Sequence, residues 1–163
     1  MGYIEIQNEV IDRYRIDICD GTKCRNDWHR THAHVKIRRV CKWKQRNSIQ
    51  STFTLFHEIG HVETTKTSMR RAEREYYATV WAIEKCQEYG LEIPDEIINR
   101  YQEYIDMEID RGVRRGGKGY GELQLENPNG HPVPRDLSME GLIEVFQMVQ
   151  DENGVWYFPD SEN

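Results

Sequence analysis

Apolar residues recur along the chain at helical spacing in three runs, and at alternating spacing in one. Phe53, Leu55, Phe56, Ile59 and Val62 cover most of a helical circumference, which predicts a buried helix from about residue 53 to residue 62. Asn47 or Ser48 can cap it. Thr64–Ser68 is polar and β-branched and reads as a loop. Ser68 can cap a second helix whose apolar stripe is Ala72, Tyr76, Val80 and Ile83, and which runs to about Tyr89 and stops at Gly90. Pro94, at a first-turn position, opens a third helix towards Arg111. In the stretch His32–Val40, Val35 and Ile37 alternate with Lys36 and Arg38, which predicts one strand. Ile11–Ile18 fits either a strand or a helix edge, and Asp20-Gly21 after it is a tight-turn signal.

Beyond residue 111 the pattern changes. Gly112, Gly116, Gly117, Gly119 and Gly121 mark a flexible stretch, read as a hinge because it lacks the Lys-Ser/Thr of a phosphate loop. Residues 127–134 are rich in Asn, Gly and Pro and read as turns. A final helix over roughly Ser138–Gln150, with Leu142, Ile143, Val145, Phe146 and Val149, is expected to pack on the core before an acidic tail. Residues 1–111 are expected to form the main domain. Residues 112–163 form a linker, short helix and tail that pack on it or extend it.

Composition bounds the function classes. At 163 residues the chain is long enough for one ordinary domain with a real core. Mean hydropathy is low at -0.83, but four Trp, nine Tyr and four Phe supply aromatic surface that argues against whole-chain disorder. No apolar run approaches the roughly 18 residues a membrane span needs. The N-terminus shows no secretory pattern, so a cytoplasmic location is expected, without default disulfides among Cys19, Cys24, Cys41 and Cys86. The net charge of -6 is unevenly spread: +6 over residues 1–71, -4 over 72–121 and -8 over 122–163. Between Asp27 and Glu58 there is no acidic residue, and seven basic ones fall in residues 30–46, with Trp28 and Trp43 nearby. Overall acidity favours a solvated face that attracts acidic partners or the chain's own tail. A nucleic-acid surface on residues 30–46 is the second reading.

The chemistry lies in Phe53-Thr54-Leu55-Phe56-His57-Glu58-Ile59-Gly60-His61. His57 and His61, at i and i+4, stand about 40° apart on one helical face and can reach one metal ion. Glu58 lies about 100° round from His57, beside the position an activated water would take. Zinc lowers the pKa of such a water and the carboxylate can take its proton. Two buried imidazoles need partners, which a metal supplies. The alternative is a pair of core histidines bonded to backbone, with Glu58 on the surface.

A catalytic zinc needs a third protein ligand. Glu75 lies beside Thr79, Ala82 and Cys86, small residues that let another helix approach. Glu73 lies near Tyr77 and Glu84 on a more solvated margin. The pattern favours Glu75 over Glu73. Glu63 lies about 160° round from His61 on the same helix, too far to join it.

Residues 35–90 resemble the ImmA/IrrE family of zinc metallo-endopeptidases, common in bacteria, phages and mobile elements. The resemblance rests on Thr52-Phe53-Thr54-Leu55-Phe56-His57-Glu58-Ile59-Gly60-His61 and on the following helix with its Glu-rich start and Ala78-Thr79-x-Trp81-Ala82. It implies an α+β fold, a small gluzincin-like metallopeptidase domain in which a short sheet packs on the active-site helix. It also implies a Zn2+ cofactor, a Glu ligand at the start of the following helix, and a protein substrate such as a helix-turn-helix repressor. His32–Val40 would be the edge strand along the cleft, to which an extended peptide adds by main-chain hydrogen bonds.

The leading expectation is therefore a zinc endopeptidase with His57, His61 and Glu75 on the metal and Glu58 as base. The competing ones are a metal-binding regulatory or interaction module with little hydrolysis, and a structural domain without metal. Tyr120 and His131 are candidates for stabilising an oxyanion, with no spacing to select one. Cys19 and Cys24, with His29, His32, His34 and Cys41 nearby, either share a second metal or sit as neighbouring buried thiols.

Overall fold

The computed structural model describes residues 1–24, 30–121, 123–135, 149–150, 152–153 and 156–157. Among the described residues it is α+β, with four helices and a small three-stranded sheet. The described residues fall into two compact units. One comprises Met1–Thr67 and Tyr77–Glu92, and the other Ser68–Tyr76 and the described residues from Ile93 onward.

The first unit opens with α1 (Tyr3–Arg13). Ile6, Gln7 and Val10 form its buried face; of the ambiguous stretch Ile11–Ile18, residues 11–13 end the helix and residues 17–18 start β1 (Asp17–Cys19). Gln7 is fully buried, and its amide donates to Arg46 O at 2.9 Å and Thr52 Oγ1 at 2.8 Å. Both N–H donors of its amide are thus satisfied inside the core.

The strand expected over His32–Val40 is two strands. β2 (His32–His34) and β3 (Arg39–Cys41) are antiparallel, with His32 opposite Cys41 and His34 opposite Arg39. Residues 35–38 form the turn between them. Arg38 has a left-handed φ of 50°, and Ile37 is 54% exposed rather than facing a core. The Asp20-Gly21 turn does form, with Gly21 at φ 105°, but it does not make a hairpin: β1 pairs in parallel with β3, Cys19 beside Cys41. The sheet order β1-β3-β2 leaves β2 at an edge.

Next comes α2 (Ile49–Thr64), which starts four residues before Phe53. Ser48 is its cap, its hydroxyl accepting from Ser51 N at 3.1 Å. Trp43 fixes the approach to the helix, its indole N–H donating to Ser51 O at 2.9 Å, and Ser51 Oγ donates to Lys44 O. Phe53, Leu55, Phe56 and Ile59 are fully buried, as an all-round apolar helix requires.

The following helix, α3 (Arg71–Glu88), begins later than a Ser68 cap would place it. Glu73 Oε1 instead accepts from the Arg70 backbone N–H at 3.3 Å and from Arg70 Nε at 2.7 Å. Gly90, at φ 67°, ends the helical run, with Leu91 N donating to Cys86 O at 2.8 Å. The deepest face of α3 is its small-residue side. Ala78, Thr79, Ala82 and Cys86 are fully buried, whereas Tyr76 and Val80 are half-buried. Burial pushes the Cys86 thiol up to about 12.

In the second unit, α4 (Asp95–Arg114) follows Pro94 and buries Ile97, Ile98, Ile105 and Met107. Buried Gln102 donates to Leu123 O at 3.0 Å and accepts from Leu125 N at 2.7 Å, so an irregular segment is bonded to α4 much as a strand would be. Tyr120 packs against Gly112, where a Cβ would meet its hydroxyl at 1.8 Å. The guanidinium of Arg70 lies 3.6 Å over the Tyr120 ring and donates to Lys118 O at 2.7 Å. The Gly-rich stretch is thus anchored at Lys118–Tyr120. Most of the expected final helix lies outside the described residues. Its last two residues, Val149–Gln150, form β4 and pair antiparallel with β5 (Trp156–Tyr157). Among the described residues, no helix is long and apolar enough to cross a membrane.

Candidate metal centre

Helical spacing puts His57 and His61 on one face of α2, and the structure turns both Nε2 atoms to one point, 3.1 Å apart. Two nitrogens at about 2.05 Å from one tetrahedral zinc would stand about 3.3 Å apart. The rings meet edge to face, 4.7 Å between centroids at 88°. Thr79 Oγ1 lies 3.1 Å from His57 Nδ1 in a buried contact. If His57 offered Nε2 to a metal it would carry its proton on Nδ1, and the Thr79 hydroxyl would accept that hydrogen bond and hold the ring.

Glu75 is 8% exposed on the same face of α3 as Thr79, one turn earlier. One ligand atom from each of His57, His61 and Glu75 lies within 4.8 Å of the other two. Glu73 is engaged elsewhere: its hydrogen bonds from Arg70 hold its carboxyl below the usual range. Glu63 pairs with Arg38. Glu58 is buried on α2 directly after His57. His57 is buried as well, while His61 is only half-buried.

The close approach of the two helices has a specific cause. A Cβ at Gly60 would stand 2.5 Å from the Ala78 carbonyl oxygen and 3.0 Å from its Cα. Only glycine fits there, and the Gly60–Ala78 contact sets Thr79 against His57.

The remaining candidates are placed as follows. Tyr120 is held by Arg70 and α4, as described above. His131 pairs with Asp95, whose carboxyl is lowered to about 2 by hydrogen bonds from Asn127, Asn129 and His131. Among the basic residues of 30–46, Arg38 pairs with Glu63, and Arg39 Nε donates to Asp17 Oδ2 at 2.6 Å. His29 and Trp28 lie outside the described residues. Cys19 Sγ and Cys24 Sγ are neighbours at 3.5 Å.

The sequence reading did not single out Thr79; the signal that could have found it is its i, i+4 spacing from Glu75 on the small-residue face of α3. No family model, curated protein or solved structure matches this chain.

Proposed function

We propose that the chain is a zinc-dependent endopeptidase. The observation that carries this reading is the convergence of His57, His61 and Glu75 within 4.8 Å, with Glu58 next to His57 on α2. Two imidazoles and one carboxylate form a donor set used by catalytic zinc sites, which keep one position open. The 3.1 Å separation of the Nε2 atoms and the Thr79 contact at His57 Nδ1 suit that ion.

Zinc held there supplies Lewis acidity to a peptide carbonyl and acidifies a water. The chain's own residues do the rest. His57 and His61 are kept in register by one helical turn, Thr79 orients His57, and Glu75 completes the set from α3. Glu58 accepts a proton from the attacking water and passes it to the leaving amine nitrogen. Edge strand β2 offers three residues to which an extended substrate can add.

The test is cleavage of a mixed peptide library, read by mass spectrometry as new termini. Zinc-loaded protein is expected to produce them, a chelator to stop them and added zinc to restore them. The resemblance makes a helix-turn-helix repressor the first protein substrate to add. No new termini from a chain with zinc on His57 and His61 would leave a metal-binding interaction module.

A further inference from the structure

The opposite end of the chemistry is in the three-stranded sheet. We propose that Cys24, His32, His34 and Cys41 form a second metal site, closed and tetrahedral, that takes zinc or another thiolate-preferring divalent ion when the chain is reduced.

Strand pairing builds the site. His32 and His34 are two residues apart on β2 and so share a face. His32 stands directly opposite Cys41 on β3, which in turn lies beside Cys19 on β1. The turn after β1 then brings Cys24 back: Asp20 Oδ1 accepts from Thr22 N at 2.9 Å, and Cys24 N donates to Gly21 O at 3.2 Å. One ligand atom from each of Cys24, His32, His34 and Cys41 lies within 4.8 Å of the other three.

Two further observations point to an ion. The Nε2 atoms of His32 and His34 are both buried without a hydrogen-bond partner. An orphaned buried polar atom costs roughly 1–3 kcal/mol, so two in one cluster call for a shared partner. The other nitrogen of His32, Nδ1, is 2.9 Å from Arg30 O, which accepts its proton and leaves Nε2 with a lone pair for a metal.

The second observation concerns the sulfurs. Cys24 and Cys41 are joined by a disulfide in this structure, with Cα atoms 7.3 Å apart. Disulfides usually span about 4.4–6.8 Å between Cα atoms. Two thiolates on one zinc, at about 2.3 Å each, hold their sulfurs about 3.8 Å apart and suit a wider span. Cys19 Sγ lies only 2.9 Å from Cys41 Sγ, so three sulfurs and two unpartnered imidazole nitrogens meet at one end of the sheet. Opening the disulfide takes two electrons and two protons from a dithiol, which becomes the cyclic disulfide. The two thiols then release their protons to solvent as the metal binds. Two sulfurs and two nitrogens leave no open position, so the site is structural and ties the β1 turn to the β2–β3 hairpin.

The test uses the full chain, reduced with a dithiol and then freed of it, and titrated with Co2+. A thiolate-bound cobalt gives a sulfur-to-metal charge-transfer band in the near ultraviolet, which a His2Glu site cannot give. We expect that band in the wild type, its retention in His57→Ala and Cys19→Ser, and its loss in Cys41→Ser. Zinc content should be about two per chain in the wild type and about one in either His57→Ala or Cys41→Ser. Should Cys41→Ser not fold, His34→Ala serves instead, with weakened affinity as its readout. A reduced, folded wild type without the band overturns the proposal, as does a band that depends on Cys19 and not on Cys41. Loss of this site and loss of the α2–α3 site are told apart, because only the first removes the band and only the second removes the His57-dependent ion.

Discussion

Glu58→Gln is expected to keep its zinc and to lose peptide cleavage by about 10²–10⁴-fold, the range typical of removing a general base. Glu58 and its amide replacement have nearly the same shape, so the packing of α2 at this buried position changes little. What goes is the ability to take a proton from the attacking water and to return it to the leaving amine. Because both transfers belong to the transition state, the fall should appear in kcat, with KM nearly unchanged. His57→Ala behaves differently, since it removes a metal ligand and should lose the zinc at that site and cleavage together. Parallel measurements of zinc content and of initial rates check the pair. A Glu58→Gln chain that cleaves at the wild-type rate with zinc in place would show that Glu58 is not the base.

Gly60→Ala is expected to destabilise the chain by about 2 kcal/mol and to weaken zinc binding, although Ala is the better helix former by about 1 kcal/mol. The new methyl would stand 2.5 Å from the Ala78 carbonyl oxygen. The obstacle is the backbone of α3 at Ala78, so no side chain can swing away, and α2 and α3 must separate. Separation opens the 3.1 Å contact between Thr79 and His57. Urea unfolding with and without zinc measures both parts. The loss should be larger with zinc present, because the loosened site also gives up ligand-linked stability. A Gly60→Ala chain as stable as the wild type and equal in zinc affinity would mean that this close approach does not position the site.

The α2 motif was legible because everything in it is local. His57, Glu58 and His61 are set by helical period alone, and Ser48 caps the helix as its position predicts. That Glu75 lies on the buried side of α3 was legible for a related reason: small residues at 79, 82 and 86 mark the face that another helix can approach. The sheet was less so. Val35-Lys36-Ile37-Arg38 alternates as a strand does, and a four-residue turn can carry the same alternation. What separates the two is the left-handed backbone at Arg38, which its side chain does not announce. The N-terminal helix was blurred by Gln7, a polar residue on the buried face, whose partners Arg46 and Thr52 lie far along the chain. The sulfur–imidazole cluster was visible only as an unordered set. Its members converge through the antiparallel β2–β3 pair and the parallel pairing of β1 with β3, a register that no short-range pattern specifies.

The most direct measurement is anomalous diffraction at the zinc edge from crystals of the zinc-loaded chain. A peak is expected about 2.0–2.2 Å from His57 Nε2, His61 Nε2 and a Glu75 carboxylate oxygen, with no fourth protein ligand. A zinc-loaded chain with no peak between His57 and His61, or with a fourth side chain closing the site there, would contradict the proposed catalytic site.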